Sequence, residues 1–132
     1  MNPVVHFELP YENADRAAAF YRAAFGWQIQ QLDAAMGNYV VVTTATADAK
    51  ADAPRGAING GLYQKKADFP PQYPSVVIGV EDLEQSMRAV RDAGGKVLGE
   101  PMDIPGIGRY VSFFDTENNR NSMLQPNRAV KP

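Results

Sequence analysis

Apolar and polar positions alternate with period two over residues 4–9 (Val4-Val5-His6-Phe7-Glu8-Leu9). This predicts a strand with Val5, Phe7 and Leu9 on one face and Val4, His6 and Glu8 on the other. Pro10 has no amide to donate and is expected to end that strand. The period then lengthens to that of a helix. Asn13 is a candidate N-cap, Ala14, Ala17 or Ala18, Tyr21 and Phe25 fall on one stripe, and Gly26 supplies a left-handed stop. Strands are predicted over residues 27–32, 39–44 and 57–64, with a turn at Met36-Gly37-Asn38. Residues 45–56 are poor in large apolar side chains and read as an exposed loop. Residues 65–74 hold three prolines and read as a linker.

The pattern then repeats. A strand over residues 75–80 precedes Asp82, with Gln85 three residues on as in a capping box, and a helix through residue 93 buries Leu83, Met87 and Val90 before Gly94-Gly95. Strands are expected over 96–98, 109–114 and 120–125, a loop over 101–108, a turn over 115–119 and a tail over 127–132. A shift of 69 positions carries Asn13 onto Asp82, His6 onto Ser75 and Gly26 onto Gly95. A shift of 71 carries Gly37-Asn38-Tyr39-Val40 onto Gly108-Arg109-Tyr110-Val111, and a shift of 61 carries Gly61-Leu62 onto Ser122-Met123. Each half therefore reads as β-α-β-β-β: a first module over 1–64 and a second over 75–126, in one domain of 132 residues.

Composition narrows the function classes. Hydrophobic and charged fractions of 45% and 21% are those of an ordinary globular protein. With no cysteine, neither a disulfide framework nor a thiolate metal site is possible. A net charge of −2 argues against nucleic acid or an anionic membrane as partner. No apolar run approaches the roughly 18 residues of a membrane span, and Met1-Asn2-Pro3 enters a strand with no leader-like segment, so a cytoplasmic location is expected. No phosphate-cradling motif occurs, since Asn59-Gly60-Gly61 is too short and opens no helix. The glycines suggest instead a bulge or a close approach by backbone or ligand. There is no Gly-x-Ser-x-Gly nucleophile elbow, and Lys65-Lys66 reads as a solvated face.

Two such modules in so short a chain resemble the vicinal oxygen chelate superfamily, which includes glyoxalase I, extradiol dioxygenases, and fosfomycin- and bleomycin-resistance proteins. Residues Phe20-Tyr21-Arg22-Ala23-Ala24-Phe25-Gly26-Trp27 look like its first-helix signature. Asp82-Leu83 with Ala93-Gly94-Gly95 looks like its second. Gly108-Arg109-Tyr110 with Asp115-Thr116-Glu117-Asn118-Asn119-Arg120 looks like its closing strand and turn, usually Asp-Pro-(Asp/Glu)-Gly-Asn. The resemblance covers residues 4–126. It implies an α+β fold whose two βαβββ sheets pair into a U-shaped cup, commonly in a two-fold dimer. It also implies metal ligands on the first and last strand of each module. Here those positions hold His6, Gly61, Ser75 and Ser122, and only His6 is a competent ligand. Moving the last strand to bring in Gln125 adds only a neutral amide and swaps strand faces. No metal and no cofactor is therefore expected.

His6, the one histidine, and Glu8 share a strand face and are candidates for metal-free acid–base work, with the carboxylate expected to raise the imidazole pKa. Tyr39, Asn59, Tyr63, Ser75, Tyr110 and Ser122, with His6, are candidate wall residues for a small organic ligand. Phe20, Tyr21, Phe25 and Trp27 are expected in the helix–sheet core. Three functions follow: a metal-free small-molecule-binding protein, a metal-free isomerase or lyase using His6 and Glu8, or a metal-dependent glyoxalase-like or dioxygenase-like enzyme.

Overall fold

A computed structural model describes residues 1–45, 57–68 and 72–127. The loop over 45–56 and the tail over 127–132 fall, apart from their first residues, outside the described residues, as does part of the linker. The elements run β1 (Val4–Tyr11), α1 (Ala14–Phe25), β2 (Gln28–Gln31), a 3₁₀ turn (Ala34–Met36), β3 (Val40–Thr43), β4 (Asn59–Gln64), β5 (Ser75–Gly79), α2 (Leu83–Asp92), β6 (Lys96–Ile104), β7 (Gly108–Phe114) and β8 (Arg120–Pro126). This is an α+β chain of two βαβββ modules. The strands of the first lie in the order β2-β3-β4-β1 and those of the second in the order β5-β8-β7-β6. Two compact units contain them: His6–Pro74, and Ser75–Pro132 together with Met1–Val5.

The register reproduces the repeat. Leu62 lies opposite Leu9 and Val40, and Met123 opposite Ile78 and Val111. Each module folds around those positions. Val40, Val42, Leu62 and Tyr11 are buried in the first with Phe7, Leu9, Tyr21 and Trp27 packed against them. Leu83, Met87, Val111, Phe113 and Met123 are buried in the second. Both helices start as the sequence implies: Asn13 Oδ1 accepts from the Arg16 amide and Asp82 Oδ1 from the Gln85 amide. Gly26, at φ 70°, closes α1 in the left-handed conformation.

Three expectations are corrected. β1 continues through Pro10 to Tyr11. Tyr11 C=O accepts from Lys65 N–H, so the polar groups facing β4 belong to odd-numbered residues and the proline nitrogen points away from that ladder. The loop over 101–108 is in part strand, because β6 runs on to Ile104. Its pairing with β7 shifts between Leu98 and Met102, where Gly99 sits at φ 73°. A bulge on the terminal strand tolerates the glycine and proline that mimic a break. Finally, Phe20 and Phe25 are exposed (58% and 63%), Phe20 meeting Tyr21 edge-on and Phe25 lying tilted against Tyr21 and Trp27, while Val5 is also open to solvent. α1 ends at Phe25 and β2 is four residues long, so that end of the helix has little sheet beneath it.

No helix among the described residues is long and apolar enough to cross a membrane.

Candidate functional site

Strand alternation puts His6 and Glu8 on the face of β1 opposite the core. Parallel pairing sets them beside Asn59 and Gly61 of β4. Tyr39 enters from the other side of β4. Asp33 caps the 3₁₀ turn, with Oδ1 accepting from Ala35 N–H, and Gly37 and Asn38 follow at φ 68° and 55°. The Tyr11 hydroxyl donates to Asn38 C=O at 2.6 Å, and Leu32 N–H donates to Tyr39 C=O at 2.8 Å. These bonds fix the chain reversal that aims Tyr39 across the sheet.

The Tyr39 phenol lies over Gly61, and a Cβ at 61 would run into its ring and hydroxyl. On the opposite face the Phe7 ring covers Gly60, 2.6 Å from where a Cβ would stand. The two glycines thus seat one aromatic ring on each face. The pairing of β4 with β1 and β3 is unbroken there, so of the two alternatives the glycines serve a close approach, by side chains of this chain, and not a bulge.

Over Gly61 the Tyr39 hydroxyl joins two side chains. It donates to Glu8 Oε2 at 3.1 Å and lies 3.0 Å from His6 Nε2. Burial pushes the His6 imidazole below its usual 6.5, and the Glu8 carboxylate pulls it only partway back. The carboxylate thus acts in the expected direction, but desolvation outweighs its charge and the net shift is downward.

The second module carries a different cluster. Ser122 Oγ donates to the Tyr110 hydroxyl at 2.6 Å and lies 2.9 Å from Ser112 Oγ, which also receives a long 3.5 Å contact from Arg120 Nη2. Ser112 and Ser122 are buried and Ser75, at the start of β5, half-buried. The remaining candidates are occupied with backbone. Asn59 Oδ1 accepts from the Thr44 and Ala45 amides at 2.7 and 2.9 Å, tying β3 to β4. The Tyr63 hydroxyl reaches Tyr73 C=O at 3.4 Å. Gln125 Oε1 accepts from Leu83 N–H at 2.8 Å and so serves the start of α2. An open polar depression of about 270 Å³ at the start of α1 is lined by Tyr11, Asn13, Asp15, Gln31, Leu32 and Asn38, and by none of the candidate wall residues.

The structure brings together His6, Glu8 and Tyr39 in one module, and Tyr110 and Ser122 in the other. The roles of Gly61 and Ser112 were missed. The signal for the first was that Tyr39 and Gly61 both recur in the second half, as Tyr110 and Ser122.

The donor set does not fit a metal held by three protein ligands. His6 is one imidazole. Gly61 has no side chain and the phenol fills its place. Ser75 and Ser122 offer neutral hydroxyls, and that of Ser122 is already bonded. No cluster of three or more His, Cys, Asp or Glu occurs among the described residues.

Residues 4–45 match the family model for the bleomycin resistance protein-like N-terminal region. A glyoxylase-like domain-containing protein of Didymella fabae is 30% identical over 117 residues, covering 88% of both chains. A putative glyoxylase, CFP32, of Mycobacterium tuberculosis is 30% identical over 120 residues; the match takes in 90% of this chain and 42% of the longer relative. Among solved structures, a Streptomyces coelicolor methylmalonyl-CoA epimerase in complex with 2-nitronate-propionyl-CoA superposes with a TM-score of 0.71. It is 17% identical and covers 100% of this chain and 99% of its own.

Proposed function

This chain belongs to the glyoxylase-like domain family of the vicinal oxygen chelate superfamily, and on that premise we propose that it binds a small organic ligand, without a metal, on the face that carries His6, Glu8 and Tyr39. One observation carries the reading: the phenol of Tyr39 stands in the space that a side chain at position 61 would fill. A residue that offers area and a hydroxyl has taken the place of a ligand-bearing side chain, which suits recognition of an organic surface. The likeness to a bleomycin-resistance model and to a structure holding a CoA ester supports the same class of function.

The test is elemental mass spectrometry of the purified chain before and after chelator, followed by thermal-shift screening of small aromatic and antibiotic-like compounds. A metal-to-chain ratio near zero and a stabilising ligand whose effect shrinks in His6→Ala are expected. A ratio near one that falls in His6→Ala overturns the metal-free reading, and a panel without effect overturns the binding reading. A second reading, a metal-free isomerase or lyase, is favoured by the hydrogen bonds linking His6, Tyr39 and Glu8. It requires turnover that survives chelator and is lost in His6→Ala. A homodimer is part of the same proposal, and sedimentation of the full chain measures it.

A further inference from the structure

The three side chains over Gly61 leave little freedom in where their protons sit. A carboxylate only accepts hydrogen bonds, and a phenol has one hydrogen to give. The Tyr39 hydroxyl directs that hydrogen to Glu8 Oε2 at 3.1 Å. His6 Nε2, 3.0 Å from the same phenol oxygen, then meets a lone pair and must itself be the N–H donor. In a neutral imidazole only one nitrogen carries hydrogen, so Nδ1 is left as an acceptor. Among the described residues no hydrogen bond reaches Nδ1.

The geometry points to His6 Nδ1 as the acceptor atom that receives the ligand, held in that state by a one-way chain of hydrogen bonds from Nε2–H through the Tyr39 hydroxyl to Glu8. The chemical class follows from the same chain. The ligand group that meets Nδ1 is an O–H or N–H donor, uncharged or cationic. A carboxylate or phosphate would bring negative charge to a lone pair and to the neighbourhood of Glu8. Burial supports the assignment by keeping the ring uncharged at neutral pH. Glu8 and Tyr39 act through His6 and are positioning residues. The assignment of a ligand rests on the binding reading above; the proton arrangement does not.

His6 is the only histidine, so one ring reports the site. The test is long-range proton–nitrogen correlation NMR on the ¹⁵N-labelled full chain at neutral pH. A single Nε2–H tautomer is expected, relaxing to a mixture in Tyr39→Phe and in Glu8→Gln, neither of which removes an apolar contact. A wild-type ring protonated on Nδ1 overturns the proposal, as does a tautomer ratio that neither variant moves. Phenol and benzoate, which share a ring and differ in charge, then probe the class. Phenol is expected to shift the Nδ1 resonance and benzoate to leave it. The reverse order, or no shift with either, overturns the ligand class. Should the compound panel bind while Nδ1 is protonated, only this inference falls. Should Nδ1 be the acceptor while nothing binds, the binding reading falls and the proton arrangement stands.

Discussion

His6, Glu8 and Tyr39 in the first module occupy the register positions of Ser75, Val77 and Tyr110 in the second, and the residue among them is Gly61 in one and Ser122 in the other. The ladders and the buried residues opposite them are alike; the far faces are not. Where position 61 has no side chain, the tyrosine lies down over the strand and reaches a carboxylate and an imidazole. Where position 122 has a hydroxyl, the tyrosine stops against it at 2.6 Å. Glu8 is matched by Val77, which is buried at 2%. One chain of hydrogen bonds ends on an anion. The other starts from the Arg120 guanidinium and runs through two serines. The backbone tolerates either, so a duplicated framework diverges through the small residue in its last strand.

The equivalence of the cores gives the largest expected effects. Leu62→Ala and Met123→Ala should each cost about 2–5 kcal/mol in urea unfolding, as deletions at matched buried positions. A loss confined to one of them would break the comparison. Next come two glycines. Gly108 sits at φ 155°, and a Cβ there would strike the Gln125 carbonyl, so Gly108→Ala should cost about 3 kcal/mol. At Gly61 the obstacle is the far end of a side chain that can swing away, and Gly61→Ala should cost about 1 kcal/mol while releasing Tyr39. Equal losses would mean that the phenol is as immovable as backbone.

Removing a hydroxyl should cost about 1 kcal/mol in either Tyr39→Phe or Tyr110→Phe, but only the first should alter the His6 titration followed by NMR. The smallest effects are those of acid. His6 titrates below its ordinary value in the folded chain, so the fold favours the neutral ring. That contribution is complete above about 6.5 and is lost as pH falls through the folded value. Glu8→Gln should lower the His6 midpoint further, since Glu8 is what raises it. Asp115 has the same sign lower on the scale. The Asn119 amide, then the Asn119 side chain, then the Glu117 amide hold its carboxyl below the usual range, so Asp115→Asn should destabilise the closing turn at neutral pH and not in strong acid.

Much of this was legible in the residues. Caps, stops and stripes at Asn13, Gly26, Asp82 and Leu83 located both helices, because those signals act within a turn or two of chain. The repeat of Tyr39-Val40 and Gly61-Leu62 anticipated the register, because a duplicated ladder keeps its spacing. What failed was whatever depends on a neighbour not adjacent in sequence. Pro10 reads as a terminator until the direction of the Tyr11 carbonyl is known, and Phe25 reads as core until the reach of β2 is known. Glu8 reads as the dominant influence on His6 until burial is weighed against it. The site was half legible: His6, Glu8 and Tyr39 were each named, but their common oxygen was not, because it depends on a ring crossing Gly61.

The one tryptophan of the chain lies in the first unit, its ring stacked on Tyr21 with centroids 4.6 Å apart and planes 4° from parallel. That stack gives the molecule an optical label confined to one half. Tryptophan emission during unfolding follows residues 6–74, while backbone circular dichroism averages over both units. Coincident transitions by the two signals would mean that the halves melt together, and separated ones that each module keeps its own stability.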